Sequence, residues 1–336
     1  MPEEVNEKLK NIIVSVVIPV FNEEKYIKNL LESLIFQDYC KENLEIILAD
    51  GMSSDKTREI IKLYTQKYDY IKLVNNHKKT VQHGLNIGIN NAVGKYIVRM
   101  DAHSEYEKNY ISKCIEYLEN TDATNVGGPM VAVGKTRLQK IIATAYHSEF
   151  ALGGGKNHDK NYQGYTDTVF LGAFRKQDIL KLNLYDVKLT KNEDDDLCYR
   201  MIKNNMKIYI TPEIKSKYYP RDNFKDLFRQ YYDYGSWKIA VIKKHKRPAR
   251  ITHLIPALFV VFLVLFGIFS VFSKIVFSVF CTIMSLYLIL NIYFSFRKNE
   301  LNFCDKFILM WVHFILHVSY GLGFIAGIFK FRNINF

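Results

Sequence analysis

Gly94-Lys95-Tyr96-Ile97-Val98-Arg99-Met100-Asp101-Ala102-His103 is the stretch on which the reading of this chain turns. Residues 96–100 are rich in apolar and β-branched side chains, as in a short buried strand. The strand ends in a carboxylate, and an imidazole follows two positions later. Period-2 alternation points Asp101 and His103 to the same side of an extended chain, as two ligands of one cation require. In an open α/β sheet, ligands bind beyond the carboxyl ends of the strands. Carboxylate oxygen plus imidazole nitrogen suits Mn²⁺ or Mg²⁺ bridging to a phosphate. On its own a D-x-H triplet also fits a solvated strand-end turn, so its neighbours decide.

Upstream, residues 12–20 form a nearly continuous apolar run, the mark of a parallel strand buried on both faces. A helix is expected over 26–36, a strand over 44–49, a helix over 56–67, a strand over 71–74 and a helix over 81–92. Such alternation predicts a mainly parallel sheet with right-handed crossovers. Glu23, Asp50 and Asp101 then converge on one rim, which would repel a bare pyrophosphate unless a divalent cation intervened. Phe21-Asn22-Glu23-Glu24 stands where a dinucleotide fold carries G-x-G-x-x-G, and no G-x-x-x-x-G-K-[S/T] phosphate loop is present. The pattern excludes a Rossmann dehydrogenase and a P-loop NTPase.

The hydrophobic fraction of 49% is ordinary, but charge nearly vanishes in three long runs beyond Ile251. Net charge is +12, with a dense basic block over residues 243–250 immediately before the first of these runs. That placement indicates a membrane flank rather than a nucleic-acid face, so no nucleic-acid partner is expected. The five cysteines (Cys40, Cys114, Cys198, Cys281, Cys304) show no C-x-x-C spacing, which implies neither a zinc site nor a disulfide framework. Residues 1–10 are polar and charged, without the pattern of a secretory signal.

Four pieces agree in order and spacing: Val-Ile-Pro-Val-Phe-Asn-Glu-Glu at 17–24, Asp-Gly-Met-Ser-Ser-Asp at 50–55, Leu-Asn-Ile-Gly-Ile-Asn-Asn-Ala at 85–92 and Met-Asp-Ala-His at 100–103. Together they resemble the family 2 glycosyltransferases of the GT-A fold, closest to the membrane-anchored type of bacterial exopolysaccharide synthesis exemplified by succinoglycan. The similarity covers about residues 12–240. It implies an α/β GT-A domain (Rossmann-like, mainly parallel sheet), a nucleotide-sugar donor, most simply a UDP-sugar, a divalent metal, and inversion at the anomeric carbon. Carried over residue by residue, Pro19, Val20, Phe21, Glu23 and Asp50 line the nucleoside pocket. Asn86 and Gly88 lie on the helix that shapes the donor site, and Asp101 and His103 match the D-x-D motif with histidine replacing its second acid.

The acceptor side falls in the second half. Residues 122–128 read as a strand with a tight glycine turn, and Gly153-Gly154-Gly155 as a loop, either a lid or a linker. Residues 167–175, with Gly172, resemble the family's strand beneath the acceptor, and Arg175 there reads as structural. Asn192-Glu193-Asp194-Asp195-Asp196 opens a helix. Asn192 suits an N-cap, and acids suit a first turn through the helix dipole. The resemblance places the family's E-D motif at Glu193-Asp194, with Asp194 as general base and Asp195 or Asp196 as alternatives. An acceptor hydroxyl is a poor nucleophile until a carboxylate removes its proton. Gln230 and Trp237 fall where processive synthases of the family carry Q-x-x-R-W on the acceptor side. Asp233 replaces the arginine, and Trp237 comes seven residues after the glutamine, which favours single-sugar transfer.

Residues 251–272, 275–296 and 307–329 each lack Lys, Arg, Asp and Glu. Each can cross a hydrocarbon core of about 30 Å as a helix. Basic residues before the first run and over 297–306 place both flanks in the cytoplasm, with Lys330-Phe331-Arg332 outside. The expected plan is a tail (1–11), a GT-A domain (12–222), an amphipathic basic segment (223–250) and an all-α membrane region (251–336) in the cytoplasmic membrane. His313 and His317, one turn apart, are expected to pack against neighbouring helices. The expected activity is transfer of a single sugar to a saccharide acceptor, itself expected to be lipid-linked. A processive synthase and an inactive sugar-nucleotide sensor or scaffold are the rivals.

Overall fold

Strand and helix alternate where the apolar runs place them. The computed structural model describes residues 13–246 and 251–334. The expected tail and the last four residues of the basic block lie outside the described residues. In chain order the elements are β1 (Val14–Val20), α1 (Ile27–Ile35), β2 (Leu44–Asp50), α2 (Thr57–Lys67), β3 (Ile71–Asn75), α3 (Val81–Asn91), β4 (Tyr96–Arg99), β5 (Glu105–Tyr106), α4 (Tyr110–Asn120), β6 (Asn125–Gly128) and β7 (Val131–Ala132). There follow α5 (Arg137–Tyr146), α6 (Glu149–Leu152), β8 (Gly164–Thr166), β9 (Phe170–Arg175), α7 (Lys176–Lys181), α8 (Glu193–Lys203), β10 (Ile208–Ile210) and β11 (Ser216–Tyr218). The chain closes with α9 (Phe224–His245), α10 (Ile255–Phe269), α11 (Lys274–Phe296) and α12 (Phe303–Lys330). Two compact units result: Met1–Val131 with Asp159–Tyr218, and Ala132–His158 with Tyr219–Phe336.

The first unit is built on an eight-stranded sheet of order β3-β2-β1-β4-β9-β6-β10-β8. β1 pairs in parallel with β2 and β4, and β2 in parallel with β3. Alternation along β1 sends Val14, Val16, Ile18 and Val20 into one core with α1 and α4, and Val17 into a second core with Leu85 and Ile89 of α3. A Cβ on Gly88 would overlap Val17, so glycine there lets α3 lie directly on the sheet. The expected parallel sheet is interrupted by β9, which runs antiparallel to both β4 and β6. Arg175, at its end, donates to the carbonyls of Leu118 and Ala123, which is the structural part expected of it.

The second unit is helical. α9 packs along α12 through glycines on both helices: a Cβ on Gly235 would overlap the Tyr320 carbonyl, and one on Gly323 the Tyr232 carbonyl. One on Gly327 would sit 2.5 Å from the Ser236 carbonyl. Small residues at such a crossing let two backbones touch. Gly323→Ala is therefore expected to cost about 1–3 kcal/mol through overpacking. Gly267→Ala on α10, where a Cβ meets nothing within 4 Å, should stay within about 0.5 kcal/mol of the parent. Thermal unfolding of the two variants in detergent checks the contrast.

The Gly153–Gly155 segment begins where Gly153, at φ 71°, closes α6. One turn earlier, the Phe150 ring lies 5.1–5.5 Å from the rings of Tyr287, Phe294, His313 and His317. His313 Nδ1 is 2.8 Å from Asn291 Oδ1, and His317 is bonded to Tyr287 Oη at 3.0 Å and the Phe150 carbonyl at 2.9 Å. Both histidines are thus held by neighbouring segments.

Candidate active site

The parallel register sets the strand ends side by side. Val20 faces Asp50 across β1 and β2, and Val17 faces Arg99 across β1 and β4. Three turns therefore leave the sheet at one edge: 21–24, 51–57 and 100–104.

The first two turns are stitched together. Backbone N–H groups of Asn22 and Glu23 donate to Ser53 Oγ and Thr57 Oγ1, both at 2.8 Å. Ser54 N–H donates to Asn22 Oδ1 at 2.9 Å. Asn22 and Met52 adopt φ of 55° and 60°, the strained backbone that lets both turns fold inward. Phe21 is exposed at the rim, with Lys79 Nζ 6.0 Å from its ring centre. Asp50, which the resemblance sets in the lining of the nucleoside pocket, is the last residue of β2. Its carboxylate is fully buried and accepts from Ser53 Oγ at 2.5 Å, Ser53 N–H at 3.1 Å and the Arg58 guanidinium, which also donates to Asn75 Oδ1 at 2.8 Å. Asp50 thus organises the turn from beneath. Pro19 and Val20 lie within β1, at its carboxyl end.

At the third turn, Tyr106 Oη accepts from the Asp101 N–H at 2.6 Å and donates to the Asp101 carbonyl at 3.2 Å. This pins the D-x-H segment. The Asp101 side chain is 22% exposed and that of His103 45%, so both reach the crevice. His103 Nδ1 stands 3.1 Å from Glu23 Oε1. A carboxylate on one ring nitrogen is the arrangement that orients histidine ligands toward a metal through the other. Among the described residues, no group of three or more His, Cys, Asp or Glu could by itself hold a metal ion. Two protein donors of mixed oxygen and nitrogen character fit a divalent cation that takes its remaining ligands from phosphate and water.

Arg99 carries the geometry that the sequence reading missed. Its guanidinium is buried, with Nε 3.6 Å from Asp101 Oδ1 and one terminal nitrogen 3.2 Å from Glu193 Oε1. It also lies over the Tyr185 ring at 5.6 Å. One buried cation therefore links the D-x-H turn to the start of α8. An arginine inside an otherwise apolar strand was the available signal, since buried cations are seldom left without acids.

The segment leading into α8 is clamped from several sides. Asn86 donates to the Tyr185 carbonyl at 2.8 Å and accepts from its N–H at 3.0 Å. Gln82 donates to the Leu189 carbonyl, and Arg200 to the carbonyls of Leu182 and Leu184. Asn86 and Gly88 thus act at one remove from the crevice, the first on this segment and the second in helix–sheet packing. Asn192 occupies the N-cap position, but in a left-handed conformation (φ 59°) without a side-chain capping bond.

The four acids that follow have separate environments. Glu193 is buried against Arg99, and Asp194 is exposed, its Oδ1 accepting from Asp195 N–H at 2.8 Å. Asp195 is half-buried. Asp196 is fully buried and ion-paired with Arg200 at 2.9 Å, which removes it from the candidates for a base. Gly172 lies on β9 at φ 98°, where a Cβ would come 2.5 Å from Asn125 Oδ1. Gln230 and Trp237 belong to the second unit. Gln230 donates to Tyr234 Oη at 3.0 Å, and the Trp237 ring packs on Phe331 at 4.8 Å under Lys330. The tryptophan's ring is therefore engaged within its own unit.

Burial, with the Asp194 charge close by, pushes the Glu193 carboxyl up to about 7, against the opposing pull of Arg99. A carboxyl raised on folding contributes stability that is present below its unfolded value and is lost as pH rises through the folded one. Stability should fall from about pH 5 to about pH 8 by on the order of 3 kcal/mol, and Glu193→Gln should flatten that slope. Denaturant midpoints of both proteins across this range test the assignment. Parallel slopes would remove it.

The sequence profile described as "Glycosyl transferase family 2" matches residues 15–182. The chain belongs to glycosyltransferase family 2. It is 32% identical over 240 residues to dolichyl N-acetyl-alpha-D-glucosaminyl phosphate 3-beta-D-2,3-diacetamido-2,3-dideoxy-beta-D-glucuronosyltransferase of Methanococcus voltae, covering 69% of this chain and 74% of that one. It is 28% identical to the succinoglycan biosynthesis protein ExoA of Rhizobium meliloti, covering 75% and 76%. Among solved structures it resembles the mannosyltransferase PcManGT of Pyrobaculum calidifontis, in complex with GDP-Man and Mn²⁺. The TM-score is 0.67 at 15% identity, over 94% of this chain and 87% of that one. These likenesses bear out the GT-A α/β fold with a mainly parallel sheet, and the family 2 glycosyltransferase assignment that the four motifs implied. Three apolar helices follow: Ile251–Phe269, Lys274–Phe296 and Phe303–Lys330, each long and apolar enough to cross a membrane.

Proposed function

We propose that this glycosyltransferase moves a single sugar from a nucleotide-sugar, a UDP-sugar in the first instance, to a hydroxyl of a lipid-linked saccharide, with inversion. The observation that carries the reading is the buried Arg99 bridge. It ties the exposed-acid end of α8 to the D-x-H turn, joining a candidate base to a candidate diphosphate site. Asp194 accepts the acceptor hydroxyl's proton as that oxygen bonds to the anomeric carbon from the face opposite the nucleotide. The bond from that carbon to the diphosphate breaks in the same displacement, and the nucleoside diphosphate leaves with the electron pair. Asp101 and His103 would hold Mn²⁺ or Mg²⁺, which would supply charge neutralisation for the departing diphosphate. The interlocked 21–24 and 51–57 turns hold the nucleoside, with Phe21 at the rim and Asp50 fixing the turn beneath. Holding both substrates in line supplies much of the remaining acceleration.

The lipid-linked acceptor is supported by the dolichyl phosphate substrate in the name of the Methanococcus relative and by the apolar helices beside a basic flank. Those helices support placement in the cytoplasmic membrane, with the catalytic unit on the cytoplasmic side. The test is nucleotide release by detergent-purified protein over a panel of nucleotide-sugars, with lipid extract as acceptor, with and without Mn²⁺ or Mg²⁺. The expected result is metal-dependent turnover of one donor that requires the lipid fraction. Donor binding without turnover under all these conditions would favour a sensor or scaffold.

A further inference from the structure

Hydropathy alone gives α12 a full crossing, with Lys330-Phe331-Arg332 on the far side of the bilayer. The packing within the helical unit leads elsewhere. α9 carries seven charged residues in 22 (Lys225, Asp226, Arg229, Asp233, Lys238, Lys243, Lys244), so it cannot lie in the hydrocarbon core. Yet it runs beside the last third of α12. Gly323 meets the Tyr232 carbonyl and Gly327 meets Ser236. Past the end of α12, Lys243 Nζ donates to the carbonyls of Phe331 at 2.9 Å and Arg332 at 2.6 Å.

The other end of α12 is held in the same way. Asp305 is ion-paired at 2.7 Å with Arg137, the first residue of α5. α5 is itself tied to the approach to α9, through Gln139 donating to the Pro220 carbonyl at 2.9 Å. Both ends of α12 are thus fastened to charged helices that do not cross the bilayer. The middle of α12 touches the base of the α10–α11 hairpin. Asn291 donates to the Met310 carbonyl at 3.0 Å, Phe259 lies 6.5 Å from His317, and a Cβ on Gly321 would overlap the Pro256 carbonyl. Away from that base the hairpin closes on itself, with Phe262 and Phe280 stacked at 5.5 Å, and most of its residues from 261 to 290 are exposed.

We infer that only the α10–α11 hairpin crosses the membrane, and that α12 lies along the lipid interface with both ends on the side of α5 and α9. Its exposed large side chains are apolar toward both ends, Phe303, Phe307 and Trp311 in its first third and Leu322 and Phe329 in its last. Such side chains beside charged helices seat in the boundary between headgroups and acyl chains. The occupant of this face is therefore the lipid surface itself, whatever sugar the catalytic unit transfers.

Compartment-sensitive reporters on the full chain test it. One is fused at the N-terminus, one at the C-terminus, and one is inserted at Ser273 in the hairpin turn. The N- and C-terminal reporters are expected to read the same compartment, and the Ser273 insertion the opposite one. Impermeant maleimide labelling of Asn333→Cys and Ser273→Cys, in a background lacking the native cysteines, should give opposite protection in sealed vesicles. A C-terminal reporter opposite to the N-terminal one, or a Ser273 site on their side, would overturn the inference.

Discussion

Asp194→Asn is expected to lower kcat about 10²–10⁴-fold, the usual contribution of a positioned base, while donor affinity and melting temperature stay near those of the parent. Its side chain is exposed and its carboxylate oxygen accepts from a neighbouring N–H that an amide oxygen can equally serve. Asp196→Asn should behave in the opposite way. Its carboxylate is fully buried on Arg200, and Arg200 in turn holds the carbonyls of Leu182 and Leu184. Removing one partner of a buried pair costs about 3–5 kcal/mol, so this variant should lose melting temperature first and activity as a consequence. Single-turnover kinetics beside thermal unfolding separates the two. Full chemistry in Asp194→Asn, with loss confined to Asp195→Asn, would move the base by one residue.

The contrast between these neighbours shows where sequence reading stops. The alternation of apolar runs and helical spacing in residues 12–100 was legible because each strand of a parallel sheet is apolar on both faces. The antiparallel entry of β9 was not, since residue pattern carries no strand direction. The motif positions were legible from their order, but the part each side chain plays was not. Asp50 read as lining the nucleoside pocket and Asp196 as an alternative base, whereas the fold buries both carboxylates, Asp50 against Arg58 and Asp196 against Arg200, its own i+4 neighbour on α8. Asn192 has the residue type of an N-cap, yet the chain enters α8 through a left-handed turn set by the clamps from α3. α9 read as an amphipathic membrane-surface segment. Its Gly235 contact with α12 depends on a helix far along the chain, which no local pattern reveals.

Arg99→Met should be the most disruptive change in the crevice. The guanidinium is the shared counter-charge of Asp101 and Glu193, and Asp194 also lies in its field. Without it, the buried Glu193 faces like charges alone, and its carboxyl, already raised by burial and by Asp194, should be driven further up and held neutral. Removing one partner of a buried pair in this way costs about 3–5 kcal/mol. Arg99→Lys keeps the charge but not the planar fork that reaches two acids at once, so its stability should lie between that of Arg99→Met and the parent. If the damage came only from the unpaired acid, Arg99→Met combined with Glu193→Gln should regain much of the lost stability, because neighbouring changes in one network are not additive. Activity should not return with it, since nothing in the double variant joins the D-x-H turn to α8. Melting temperatures and kcat/KM of the two single variants and the double variant read these quantities separately. Recovery of both together would mean that Arg99 serves only the fold; recovery of stability alone would make it the residue that sets the distance between the two halves of the active site.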